Sequence, residues 1–327
     1  MNHIIPNIIV IGGGGWGAAI ASQLAKNNNQ SVTILVRDSA TKQALSAGQI
    51  PRLPDCALPE PLIATTDEML LRKADAIYLV LPAAANKQAL AMITHYARQD
   101  VPVILCAKGL IEDTETDSLF LSEYMESRHQ ERPYALLSGP SFADEVVRGL
   151  PAALVAASHD EAVKEQMIHH FSASDLRLYN GSDPIGVAIG GAVKNIIALA
   201  AGIATGLGLG DNARAALITR GLAETARLTH HLGGDKNTLS GLAGIGDLLL
   251  SATGPHSRNM AYGMALGAGT NLPDQLCEGA RSAPLLAKRA QKEAIEMPVT
   301  QAVARALDGD NLTDILSHLL ARPAVRE

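Results

Sequence analysis

Apolar runs of strand length alternate with helical patterns through the first half of the chain, and helical patterns alone fill the second half. Ile8–Ile11 is a continuous β-branched run that leads into GGGGWG and then into AAIASQLAKN, which reads as strand, glycine turn and helix. Ser31–Val36, LIATT (62–66), Asp75–Pro82, Val101–Lys108, Tyr134–Leu137, Ala152–Ala157 and Leu176–Tyr179 read as further strands. Between them, Asp67 opens a helix, and residues 83–97 and Asp160–Phe171 have helical spacing. Each unit is a strand followed by a helix, which predicts an α/β fold with a parallel, doubly wound sheet whose ligands lie beyond the strand C-termini. From Pro184 onward strands cease and alanine, leucine and glycine recur at helical spacing. The pattern therefore predicts two domains, 1–180 with a Rossmann-type sheet and 181–327 mainly α-helical.

Composition narrows this picture. Over 327 residues, 47% are hydrophobic but only 3% aromatic, which suits close helix packing on a parallel sheet better than an antiparallel sandwich. The formal charge of −6, with no basic stripe, argues against a nucleic-acid partner, so an anionic ligand must be held by a few locally placed Lys or Arg side chains. Cys56, Cys106 and Cys277 are widely spaced and form no CxxC pair, which fits a reduced, intracellular setting. The first residues lack a basic leading segment and read as a strand rather than a signal peptide. No membrane span is expected, because the longest uncharged run, Asn195–Gly210, falls short of about 20 residues. No repeat of 20 to 50 residues is evident.

Candidate chemistry begins at the first glycine turn. Gly12, Gly14 and Gly17 satisfy G-x-G-x-x-G between a strand and a helix, where they allow a tight turn, approach of a pyrophosphate and close helix packing. The first domain is thus expected to bind a dinucleotide. After the second strand stands Arg37, which suits a 2′-phosphate and so NADP, while Asp38 beside it keeps NAD open. Lys108 ends another strand at the ligand edge, and Ser141 is a plausible helix N-cap with Asp144 three residues on.

In the second half, GVAIGGAVKN (186–195) sets Lys194 in small, apolar company, with Val187, Gly190 and Gly191 near its face and room for a close backbone or ligand. Lost hydration there lowers a lysine pKa towards neutrality, whereas a snorkelling amine would keep its ordinary value. Asp247, in GLAGIGDLLLSATG (241–254), needs a partner if buried, and Lys194 is the lysine in matching surroundings; capping the helix that begins at Leu248 is the other reading. Ser257, Arg258 and Asn259 combine a helix start with a guanidinium and so suit an anion. The pairs His169–His170 and His230–His231 lack metal-ligand spacing, and no metal is expected.

Six stretches, GGGGWGAAIA (12–21), AKG (107–109), LSGPSFADEVVRGLPAA (137–153), GVAIGGAVKNIIALAAGI (186–203), GLAGIGDLLLSATGPHSRN (241–259) and LCEG (276–279), resemble the bacterial type of NAD(P)-dependent glycerol-3-phosphate dehydrogenase. The resemblance runs from the first strand to about residue 300. It implies hydride transfer between NADP or NAD and a small molecule, dihydroxyacetone phosphate reduced to sn-glycerol 3-phosphate, for phospholipid synthesis in the cytoplasm. It implies Lys194 as proton donor and acceptor, with Asn195 and Asp247 shaping its site, and Lys108, Gly139, Ser141, Ser257, Arg258 and Asn259 as substrate-binding positions. Gly12, Gly14, Gly15, Trp16, Gly17, Arg37, Lys108, Ala143, Arg258, Leu276 and Glu278 correspond to positions lining the cofactor. Gly15 stands where a serine is usual, and DLLLSATG lacks the Thr-Cys type residues common after the aspartate. A homodimer is possible on this reading. A related keto-acid or β-hydroxyacid reductase, such as ketopantoate reductase, would share the two-domain plan and the lysine without needing the Ser-Arg-Asn cluster, and a non-catalytic NADP-sensing protein would bind cofactor without turnover.

Overall fold

An eight-stranded sheet organises the first half of the chain. In the computed structural model, which describes residues 5–320, the strands are β1 (Asn7–Ile11), β2 (Ser31–Leu35), β3 (Ala64–Thr65), β4 (Ala76–Leu79), β5 (Val103–Leu105), β6 (Leu110–Asp113), β7 (Asp117–Phe120), β8 (Tyr134–Ser138), β9 (Ala152–Ala157) and β10 (Leu176–Gly181). Residues 1–4 and 321–327, the outer ends of the two expected domains, lie outside the described residues. The sheet order is β10-β9-β8-β5-β4-β1-β2-β3, so β1 is flanked by β2 on one side and β4 on the other. That is the switch point where an open α/β sheet places its ligand. β1 is almost fully buried from Ile8 to Ile11, as expected of a strand covered on both faces.

The chain divides into two units, one of residues 1–107 with 121–184 and one of 108–120 with 185–327. Six of the eight strands in the first unit's sheet run parallel, but β9 lies antiparallel to β8 and β10 follows β9. The reversal falls where the connection carries only a five-residue helix, Ala143–Val147. A uniformly parallel sheet was the expectation from strand-helix alternation, and alternation is blind to this reversal. β6 and β7 form a separate antiparallel hairpin that groups with the second unit.

The second unit is built around the helix Pro184–Gly206. By length and composition this helix could cross a membrane, but 94% of its most apolar stretch is buried inside the protein, as in a core helix. Small residues let two other segments reach its backbone. A Cβ on Gly190 would stand 2.8 Å from the Ala243 carbonyl, which belongs to a wide π turn at Leu242–Gly246. Further along, Gly202 and Gly206 face the carbonyls of Met260 and Met264, and Gly263 and Gly267 return the contact on those of Leu199 and Ile203. The helix Arg258–Ala268 is thereby held against the core helix in one register.

This packing yields a stability prediction. In Gly263→Ala the new Cβ would lie 2.2 Å from the Leu199 carbonyl, so the helices must part, at a cost of about 1–3 kcal/mol. A lower urea midpoint with an unchanged slope is the expected result, and an unaltered midpoint would show that the close approach does not constrain the pair.

Candidate active site

Lys194 lies halfway along the core helix, and the packing just described brings its partners to it. The π turn against Gly190 delivers Asp247 as the first residue of the helix Asp247–Ala252. Asp247 is 1% exposed and makes no cap to that helix. Its two carboxylate oxygens instead accept from two lysines, Oδ1 from Lys194 Nζ and Oδ2 from Lys108 Nζ, each at 2.7 Å. Of the two readings of Asp247, capping or pairing, the ion pair is the one the molecule adopts. Lys194 also donates to Ser251 Oγ at 2.7 Å. Ser251 is the site neighbour that sequence reasoning missed, although its spacing of four from Asp247 puts both on one helical face.

Two ammonium groups on one buried carboxylate set the electrostatics. Burial opposes ionisation of Asp247, but Lys108 and Lys194 outweigh it and hold the carboxyl below its usual range. For Lys194, burial is the largest influence, with the charges of Lys108 and Arg258 acting in the same direction and Asp247 against them. The amine is lowered to about 8. It therefore exchanges a proton near neutrality, and the snorkelling alternative is excluded by a side chain only 11% exposed. A neutral amine would serve as a base and the ammonium as an acid.

A second layer of side chains sets the position of the first. Asn195 Nδ2 donates to the Lys108 carbonyl at 2.8 Å, and Asn195 Oδ1 accepts from Asn259 Nδ2 at 2.9 Å. Asn259 Oδ1 in turn accepts from the Gly279 amide at 2.8 Å and from Cys277 Sγ at 3.1 Å. The amide of Asn259 thus links the start of one helix to the start of another. Ser257 caps the helix Arg258–Ala268, accepting from the Met260 amide, and Arg258 beside it is exposed. Leu276 and Glu278 are half-buried, on either side of Cys277 and next to Gly279. All of these residues, with Lys108, belong to the second unit.

The other expected positions lie in the first unit, along the C-terminal edge of its sheet. Gly12 has φ +127° and donates to the Leu35 carbonyl at 3.0 Å, and a Cβ there would meet the Val80 carbonyl. Gly17 would drive a Cβ into the Gly12 carbonyl. Gly14, by contrast, caps the helix Gly15–Ala25 without a side-chain bond, and a Cβ on it would meet nothing within 4 Å. Open space over a helix N-terminus that lacks acidic residues in its first turn fits a dinucleotide pyrophosphate. Where a serine is usual, Gly15 has Leu53 against it, 2.9 Å from an added Cβ, so the lost hydroxyl corresponds to filled space. Trp16 and Ala143 pack on the sheet core.

At the end of β2, Asp38 is already occupied: its oxygens accept from the Thr41 amide at 2.8 Å and hydroxyl at 3.0 Å, bonds that hold its carboxyl below the usual range. Arg37 beside it is exposed. Gly139, at φ +141°, follows β8, and the Ser141 hydroxyl donates back to its carbonyl at 3.1 Å. Phe142 rather than Ser141 precedes the first turn of the next helix, so the expected Ser141 cap is not formed. Among the described residues, no group of three or more His, Cys, Asp or Glu is placed to hold a metal ion.

The first unit carries a glycine turn open over a helix N-terminus and the second a lysine lowered to about 8, features that suit an oxidoreductase working with a nicotinamide dinucleotide. The family models for the N-terminal and C-terminal parts of NAD-dependent glycerol-3-phosphate dehydrogenase match residues 7–164 and 183–316, and the chain belongs to that family. A glycerol-3-phosphate dehydrogenase (NAD(P)+) of Bradyrhizobium sp. (strain ORS 278) is 41% identical over 326 residues, covering 99% of this chain and 98% of the relative. The crystal structure of glycerol-3-phosphate dehydrogenase from Coxiella burnetii is similar with a TM-score of 0.89 and 36% identity, over 97% of this chain and 99% of that one. A ketopantoate reductase from Ralstonia eutropha JMP134 reaches a TM-score of 0.59 at 14% identity, over 92% of this chain and 97% of that one, a likeness of fold alone.

Proposed function

We propose that this chain reduces dihydroxyacetone phosphate reversibly to sn-glycerol 3-phosphate with NAD(P)H, in the cytoplasm and for phospholipid synthesis. The single observation that carries the chemistry is Lys194, buried, held on Asp247 and lowered to about 8. A bound nicotinamide supplies or takes up the hydride. In the reducing direction, negative charge develops on the C2 oxygen of the substrate. The Lys194 ammonium commits two of its three N–H bonds to Asp247 and Ser251, leaving the third to donate to that oxygen. In the oxidising direction the neutral amine takes the hydroxyl proton. Asp247 and Ser251 aim the amine, and Lys108 adds a second positive charge for the developing alkoxide.

Most of the proposed substrate positions lie in the same unit, and Gly139 and Ser141 lie in the first. Arg258, exposed beside the Ser257 cap, is the side chain for the phosphate end, since its planar fork matches phosphate bidentately. Asn195 and Asn259 hold the framework behind it, with Gly139 and Ser141 as further substrate positions. Gly12, Gly14, Gly15, Trp16, Gly17, Arg37 and Ala143 are the proposed cofactor positions of the first unit, and Lys108, Arg258, Leu276 and Glu278 those of the second. The division expected at residue 180 leaves the glycine turn and Arg37 before it and Lys194, Asp247 and the Ser257–Asn259 cluster after it, while residues 108–120 group with the second unit.

Arg37 and Asp38 bear on cofactor choice. Asp38 is spent on Thr41, while Arg37 is exposed at the position that suits a 2′-phosphate, which favours NADP over NAD.

Three measurements test the reading. Dihydroxyacetone phosphate reduction should hold steady below about pH 8 and fall as the pH rises through it, because the acid is then deprotonated, and glycerol 3-phosphate oxidation should rise over the same range. Lys194→Ala should lose about 10²–10⁴-fold in turnover while still binding cofactor; near-normal turnover, or reduction of ketopantoate in place of dihydroxyacetone phosphate, would sink the assignment. Arg37→Ala should raise the KM for NADPH about tenfold or more through loss of a charge-assisted contact and leave that for NADH nearly unchanged; equal effects on both would remove Arg37 from cofactor choice.

A further inference from the structure

Lys108 stands two residues before the β6–β7 hairpin, and the far end of that hairpin is fastened to the helix Glu278–Lys292. Arg289 is 4% exposed. Its Nη1 donates to the Ser118 carbonyl at 3.2 Å, its guanidinium lies 5.7 Å from the centre of the Phe120 ring, and its Nε is bound to Glu293 at 2.8 Å. On the outside, Lys288 and Lys292 bind the carboxylate of Asp117 at 2.6 and 3.4 Å. Asp117 has φ +68°, a left-handed conformation that few residues other than Gly, Asn and Asp adopt readily. A buried guanidinium is costly to desolvate, and an apolar side chain would fill the same volume more cheaply. What the arginine adds is a bond to one particular carbonyl and a fixed seat on one ring.

The same helix is fixed at its other end to the framework of the site. Gly279 donates to Asn259, a Cβ on Gly279 would stand 2.4 Å from the Asn195 carbonyl, and Asn195 donates to the carbonyl of Lys108 itself. Lys108 is therefore held from two directions by one helix, through its own carbonyl and through the hairpin that follows it. We infer that Arg289 is a positioning residue that, through Ser118 and Phe120, sets the Lys108 ammonium on Asp247. The inference rests on the reading of Lys194 as the proton donor.

That role has a signature beyond stability. The charged groups acting on Lys194 are Asp247, Lys108 and Arg258, and Lys108 lowers its pKa. If the hairpin slackens, Lys108 leaves the carboxylate. Lys194 then loses a like-charged neighbour and has Asp247 to itself, and both changes raise its pKa.

The experiment uses the full chain carrying Arg289→Met, Arg289→Lys or Asp117→Asn, with dihydroxyacetone phosphate and NADPH as substrates. Asp117→Asn removes the outer ion pairs with a residue that tolerates the left-handed conformation, and it remains informative if Arg289→Met fails to fold. In Arg289→Met, kcat should fall on the order of 10²-fold with a smaller change in the KM for NADPH, and the alkaline limb of reduction should move to higher pH. Arg289→Lys should recover part of both, and Asp117→Asn should move the limb in the same direction by less. An unmoved limb in the folded variants, beside normal turnover of the unsubstituted enzyme, overturns the inference even if Tm falls. Absence of turnover in the unsubstituted enzyme overturns the functional reading, and the inference with it.

Discussion

One buried carboxylate shared by two lysines is the constraint on which the second unit depends. Lys108 and Lys194 together hold Asp247 ionised against the cost of its burial. The cluster carries a net positive charge in a nearly dry setting. Burial, reinforced by the charges of Lys108 and Arg258, keeps the Lys194 amine down near 8 against the pull of Asp247, and the positive excess leaves a field for an anionic substrate. A one-to-one ion pair would hold the lysine firmly protonated. Sharing the carboxylate removes part of that hold, so the amine can both give and receive a proton at physiological pH.

Bringing three charged residues from distant parts of the chain to one point needs backbones to come unusually close. Gly190 admits the π turn that carries Asp247, the glycines at 202, 206, 263 and 267 lock the helix that begins at Arg258, and Gly279 seats a third helix on Asn195. Each contact leaves room for no side chain, so glycine at these positions is a geometric requirement. The amides of Asn195 and Asn259 then convert packing into position, since one of them binds the Lys108 backbone directly. Proton chemistry at Lys194 is in this sense a property of the whole helical unit.

Much of this was legible in the sequence, for reasons that differ from residue to residue. The glycine turn is legible because strand, turn and helix are contiguous, and the pairing of Lys194 with Asp247 because a lone buried charge demands a partner. Ser251 was overlooked because a serine on a short helix resembles any other until its partner is known. The reversal at β9 has no local signature, since strands buried in parallel or antiparallel neighbours are equally apolar. Lys108 read as the end of a sheet strand, yet β5 stops at Leu105 and the chain turns into a hairpin that groups with the second unit. Grouping of that kind is decided by contacts such as Arg289 with Ser118, 171 residues apart in the chain, which no window of sequence contains.

The most direct test of the shared carboxylate is the pH dependence of dihydroxyacetone phosphate reduction by Asp247→Asn, compared with the unsubstituted enzyme. Without the carboxylate, burial and the Lys108 charge act on Lys194 unopposed by Asp247, so the alkaline limb of the residual turnover should move from about pH 8 to lower pH. A limb that stays in place, or moves to higher pH, would contradict the account.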